Sequence, residues 1–158
     1  MWDGEADRLM RSPPVAPNII YLIQWLLRIG VFATFLGHGL VAFSQNVSWL
    51  PYLDTVGING QMALYVMKGI GVLDIVIAFS VLIHPWKPVL YWCVFWTLAT
   101  AMIRPLSGES LLSFVERAAN WTVPLVLLIL INNTKLVGDR SGNTSEKGIS
   151  EPEALNVP

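Results

Sequence analysis

Four apolar blocks separated by short polar breaks dominate this chain. The first, with Ile19 to Trp25 leading into LLRIGVFATFLGHGLVAF, runs for roughly 25 residues, about 37 Å of helix at 1.5 Å per residue. A hydrocarbon core needs only about 20. The pattern predicts helices over residues 19–43, 62–83, 89–103 and 111–131. Pro13, Pro14 and Pro17 bar a regular helix in the polar lead, residues 1–18, and Asn18 stands where an N-cap would. Residues 44–60 form a loop whose Trp49 and Tyr52 suit an interfacial belt, with a short surface-lying helix or turn over Pro51 to Gly57. His84-Pro85-Trp86-Lys87-Pro88 is a tight turn, and Arg104-Pro105 closes the third helix. The fourth reaches spanning length only if it starts near Leu111, and Pro124 should bend it. The tail, residues 136–158, reads as disordered.

The expected fold class is therefore all-α: an integral membrane four-helix bundle with short loops, its membrane domain covering residues 19–135. Composition agrees, with 54% of the 158 residues hydrophobic and 13% charged. The net charge of −1 argues against a nucleic-acid partner and leaves the lipid bilayer as the first one. Cys93 is the sole cysteine, so no internal disulfide or CxxC chemistry is available. The lead mixes acidic and basic residues ahead of a long apolar block, which reads as a retained first helix rather than a cleaved signal. An even helix count puts Arg8, Arg11, Lys87, Lys135 and Arg140 on one side. The 44–60 loop on the other side has no Lys or Arg. The positive-inside rule then puts both termini in the cytoplasm.

Charges within the apolar blocks are the candidate chemistry, because each is costly in hydrocarbon. Measured from the middle of each helix, Arg28 and Asp74 lie at nearly equal depth and form the expected intramembrane ion pair. A second set gathers in the opposite half: His38, Lys68, Arg104, Glu109, Glu116, Arg117 and Asn120. Glu116 is expected near Lys68, and Arg117 near His38 or the interface. Such a set lines a polar pocket, or else it is a structural network that fixes helix register. Ala33 and Gly37 form a small-xxx-small step, with Gly30 and Gly39 as further thin points for helix packing. His38 and His84 fall roughly 25 Å or more apart along the membrane normal, too far to share a haem. Neither a haem nor a metal site is expected, because Cys and carboxylates at ligand spacing are missing. No nucleophile elbow or phosphate loop occurs.

Arg28, Gly30, Phe32, Phe35, His38 and Gly39 in the first helix, Asp74 in the second and a tryptophan-rich third together resemble the DoxX-like family of small bacterial membrane proteins, over residues 22–131. One departure is plain. Relatives commonly carry Lys shortly after the first-helix glycine, where this chain reads Leu40-Val41-Ala42-Phe43. The resemblance implies a four-helix bundle in the bacterial inner membrane. It points to contact with a quinone or a redox partner protein, because some relatives are subunits of quinone-reducing sulfur oxidoreductases. Catalysis is left open: any catalytic part would be that of a membrane subunit without a redox centre of its own. Two other readings stay open, a binding or transport protein for a small polar or anionic solute and a purely structural assembly protein. A homo-oligomer is compatible with each.

Overall fold

A computed structural model describes the backbone of residues 17–147 and the side chains of residues 18–133. Among these residues the chain is all helix, with no strand. Helix α1 spans Pro17–Phe43, followed by a 3-10 turn at Val47–Trp49 and a short α2, Leu50–Thr55. Helices α3 (Gly60–Ile83) and α4 (Lys87–Leu106) are joined by a three-residue turn, and α5 (Leu111–Val115) leads into α6, Ala118–Lys147. Four segments are long and apolar enough to cross a membrane: Asn18–Phe43, Gly60–Ile83, Lys87–Leu106 and Leu111–Asn133. Their outward faces are apolar. Leu22, Leu26 and Ile29 on α1, Val76 on α3 and Phe95 on α4 are all exposed. That surface suits lipid as the solvent, where an apolar exterior costs nothing.

Most of the expected helix boundaries shift: α1 already begins at Pro17, whose missing N–H costs nothing in a first turn, and α3 begins at Gly60, each two residues early. Helix α4 starts at Lys87 because Pro88 falls in its first turn, where its missing N–H has no intrahelical partner to lose. It also runs through Pro105: the ladder resumes with Ser107 N–H donating to Ile103 O (2.9 Å), and Gly108, at φ +98°, then turns the chain. The fourth span is broken rather than continuous. Ser110 caps α5 by accepting from Leu112 N–H. The next amides tighten to three-residue bonds, Arg117 N–H to Phe114 O (3.1 Å) and Asn120 N–H to Arg117 O (2.9 Å), before α6 begins. Pro124 lies inside α6 with its ring fully buried, and its missing N–H leaves Asn120 O without a ladder bond. The tail expected to be disordered from residue 136 overlaps α6, which continues to Lys147. The rest of it, with residues 1–16 of the lead, lies outside the described residues.

Helix α1 packs along α3 and also against α6, and α6 packs along α4. Consecutive α3 and α4 touch little. The closest helix crossing is made by Gly39 and Gly71: a Cβ on Gly71 would stand 2.5 Å from Phe43 N and 2.8 Å from Gly39 O. Gly37, expected to share in close packing, has open space where a Cβ would stand, with nothing within 4 Å, and Ala33 is exposed as well. The apolar core, including Val31, Phe35, Val81, Leu90, Cys93 and Leu127, fills the half of the bundle nearest the start of α1 and the α3–α4 turn. We call this the proximal half. The distal half is hollow.

Candidate functional site

A cavity of about 510 Å³ occupies the distal half. Helical spacing places its walls. Thr34, Phe35, His38 and Ala42 share one face of α1, and Met67, Ile70 and Asp74 one face of α3. Trp96, Thr97, Thr100, Ile103 and Arg104 come from α4, and Arg117 and Asn120 from the start of the last span. The 3-10 turn, α2 and the residue after it lie across the distal end and contribute Trp49, Tyr52, Leu53 and Val56. Ala99 and Thr100 line the cavity yet are also exposed at the surface of α4. The sparse contact between α3 and α4 thus leaves a lateral opening toward the surface that faces lipid.

Polar groups gather at the distal end of an otherwise apolar chamber. Arg104 Nη1 donates to Glu109 Oε2 at 3.0 Å, the one ion pair among the described residues. Tyr52 OH donates to the other Glu109 oxygen, and the Arg104 guanidinium lies 5.0 Å from the centre of the Tyr52 ring. This clamp ties α2 to the link between α4 and α5. The Tyr52 and Ser113 hydrogen bonds, then the Arg104 charge, hold the Glu109 carboxyl below its usual range, although partial desolvation opposes them. Desolvation first, and the bond to Glu109 second, push the Tyr52 phenol up.

His38 Nδ1 lies 2.7 Å from Thr34 O. A carbonyl only accepts, so Nδ1 carries the proton and Nε2 is left as an acceptor. Arg117 Nη1 donates to that nitrogen at 2.9 Å. The Trp49 ring stands 5.8 Å from the imidazole. Arg117 therefore turns its charge toward the cavity with a neutral histidine as partner and no ion pair among the described residues.

Four of the seven expected pocket residues line the cavity: His38, Arg104, Arg117 and Asn120. Glu109 sits beside it, held by Arg104 and Tyr52. Lys68 and Glu116 are exposed and do not line it, and no ion pair joins them. Each neighbours a cavity residue in sequence, Met67 and Arg117, and a step of about 100° turns it away.

The expected Arg28–Asp74 pair does not form. Arg28 Nε donates to Val81 O (3.3 Å), and Nη2 donates to Leu82 O (2.6 Å) and Ile83 O (2.8 Å), the last carbonyls of α3. Its guanidinium also lies 4.3 Å over the Trp25 ring. These carbonyls lack intrahelical donors and form the negative end of the helix dipole, so they suit a cation. The Gly39–Gly71 crossing sets the register: eleven residues back along α1 is Arg28, and eleven on along antiparallel α3 is Leu82. Asp74 instead lines the cavity, 4% exposed, with Trp96 as a hydrogen-bond partner of its carboxyl and Oδ1 without one. Sequence reasoning missed Asp74 as a cavity residue, and it missed Trp49 and Tyr52. The alternation of Trp49, Tyr52, Leu53 and Val56, helical in period, was the available signal for the latter two.

No family model, curated protein or solved structure matches this chain. Among the described residues no three His, Cys, Asp or Glu side chains come together as metal ligands.

Proposed function

We propose that this is a DoxX-like integral membrane protein of the bacterial inner membrane, both termini cytoplasmic, that serves a quinone-linked redox assembly by holding a lipophilic quinone-type ligand in its distal cavity. The observation that carries this reading is the shape and polarity of the cavity. It is an apolar and aromatic chamber, open sideways between α3 and α4, with Arg117 and Arg104 at one end. Binding sites for small lipophilic molecules combine such walls with a few placed polar groups. A quinone carbonyl needs donors, and an isoprenoid-like tail can leave through the lateral gap. Electrons come from a partner protein in this reading, because the chain's one cysteine and two histidines lie apart: Cys93 in the core, His38 and His84 at opposite ends. The basic residues of the proximal side, set against a 44–60 loop without any, support the orientation.

Mass spectrometry of lipids extracted from protein purified in nanodiscs tests the reading. A stoichiometric quinone should appear, and Arg117→Gln should lose it while remaining folded. Bulk phospholipid alone would overturn the proposal. One observation favours a second reading, binding of an anionic solute: among the described residues Arg117 has no ion pair, and its direct partner is the neutral His38. Uptake of a small anion into proteoliposomes, abolished by Arg117→Gln, would select it.

A further inference from the structure

The deep end of the cavity holds a group that the distal donors leave unexplained. Asp74 is 96% buried, being only 4% exposed, and its Oδ1 has no hydrogen-bond partner. Trp96 partners the carboxyl, and the hydroxyl of neighbouring Thr97 is spent on its own helix, donating to Cys93 O at 2.6 Å. Arg28, the cation expected to serve Asp74, is fixed on the carbonyls of Val81 to Ile83. A buried polar oxygen without a partner is costly, and the residue that carries it lines the chamber.

We infer that Asp74 anchors a hydroxyl group of the ligand. A hydroxyl both donates and accepts, so it satisfies Oδ1 whether or not the carboxyl carries a proton. A ketone oxygen only accepts and serves the protonated acid alone. The second pole lies at Arg117 and Arg104. Asp74 is level with Trp96 and Thr97 on α4, and Arg104 lies seven residues on from Thr97, about 10 Å along the helix. The site thus fits a flat apolar molecule with an oxygen at each end, a hydroxyl at the deep end and an acceptor at the distal end. This inference rests on the quinone-type reading, and within that class it selects the reduced, quinol form over the quinone.

The test is anaerobic titration of nanodisc-embedded protein with decylubiquinol and decylubiquinone, followed by tryptophan fluorescence, for the wild type, Asp74→Leu and Asp74→Asn. The wild type should bind the quinol about tenfold more tightly than the quinone, the scale of one well-made hydrogen bond. Asp74→Leu should bind both at the quinone's affinity, and Asp74→Asn, whose amide always carries a donor for a ketone oxygen, should lose most of the preference by binding the quinone more tightly while still holding the quinol. Without ligand, Asp74→Leu should unfold at higher denaturant than the wild type, because it removes a buried unpartnered oxygen. A purely structural Asp74 predicts the opposite shift. Equal affinities in the wild type, or a preference that survives in Asp74→Leu, would overturn the inference and leave the quinone-type reading standing. Failure of the wild type to bind either form would remove both.

Discussion

Replacing Arg28 separates the observed contacts of this chain from the ion pair that helix depth alone suggests. Arg28 makes three hydrogen bonds to the last carbonyls of α3, at 3.3, 2.6 and 2.8 Å, and stacks on Trp25. Hydrogen bonds to a charged group contribute about 1.5–3 kcal/mol each when buried, and a cation at a helix C-terminus about 0.3–2 kcal/mol. These contributions overlap, and the Ile83 carbonyl is exposed enough to find water, so the sum is discounted. Arg28→Met should therefore cost about 2–4 kcal/mol, not the full total. Unfolding in mixed micelles with increasing dodecyl sulfate measures it. The double variant Arg28→Met/Asp74→Leu completes a cycle. If the two residues have separate partners, the single effects add within about 0.5 kcal/mol. A true buried ion pair would give a coupling of about 3 kcal/mol or more, because each single change would strand the other charge. A coupling above about 2 kcal/mol would refute the arrangement.

The Gly39–Gly71 crossing predicts that Gly71→Ala destabilises the bundle by about 1–3 kcal/mol, because its new methyl would stand 2.5 Å from Phe43 N. Gly37→Ala should be neutral or slightly stabilising in the same unfolding assay, since open space surrounds it. The clamp at Glu109 makes a pH prediction. A carboxyl whose folded pKa is depressed adds stability above its unfolded pKa and loses it as pH falls through the lower, folded value. Tyr52→Phe should thus weaken the protein by a constant amount from neutral pH to mild acid, and the difference from wild type should shrink only below the ordinary carboxylate range. A difference that already disappears near pH 6 would sink this account.

The four spans were legible because a bilayer imposes length and hydropathy so strongly that apolar blocks alone reveal them. Side-chain partnerships were not. Midpoint depth put Arg28 opposite Asp74, but the register follows the one place where α1 and α3 can approach closely, and Gly39 and Gly71 are apparent as a pair only once the crossing is known. His38, Arg104, Arg117 and Asn120 were found because a charge or amide in an apolar block needs a polar setting. Lys68 and Glu116 were misplaced by the same rule, since a residue near a helix end can turn outward. The break at Glu116–Arg117 was hidden as well, because three-residue amide bonds there arise from tertiary packing and leave no signal in hydropathy.

The sparse contact between α3 and α4 has a mechanical meaning. The bundle consists of two close pairs, α1 with α3 and α4 with α6, joined along the α1–α6 seam and by the short turn at His84–Trp86. The apolar core lies on the side of that turn, which itself borders a groove of about 480 Å³, and the chamber lies at the other end. Helix α4 has 20 residues, so it acts as a lever arm of about 30 Å. A tilt of only about 5° about the turn would carry Arg104, about 26 Å along the helix, sideways by about 2.2 Å. Opening of the gap between the pairs is therefore opposed at its far end by the Tyr52–Glu109–Arg104 clamp, which acts as the latch of the chamber.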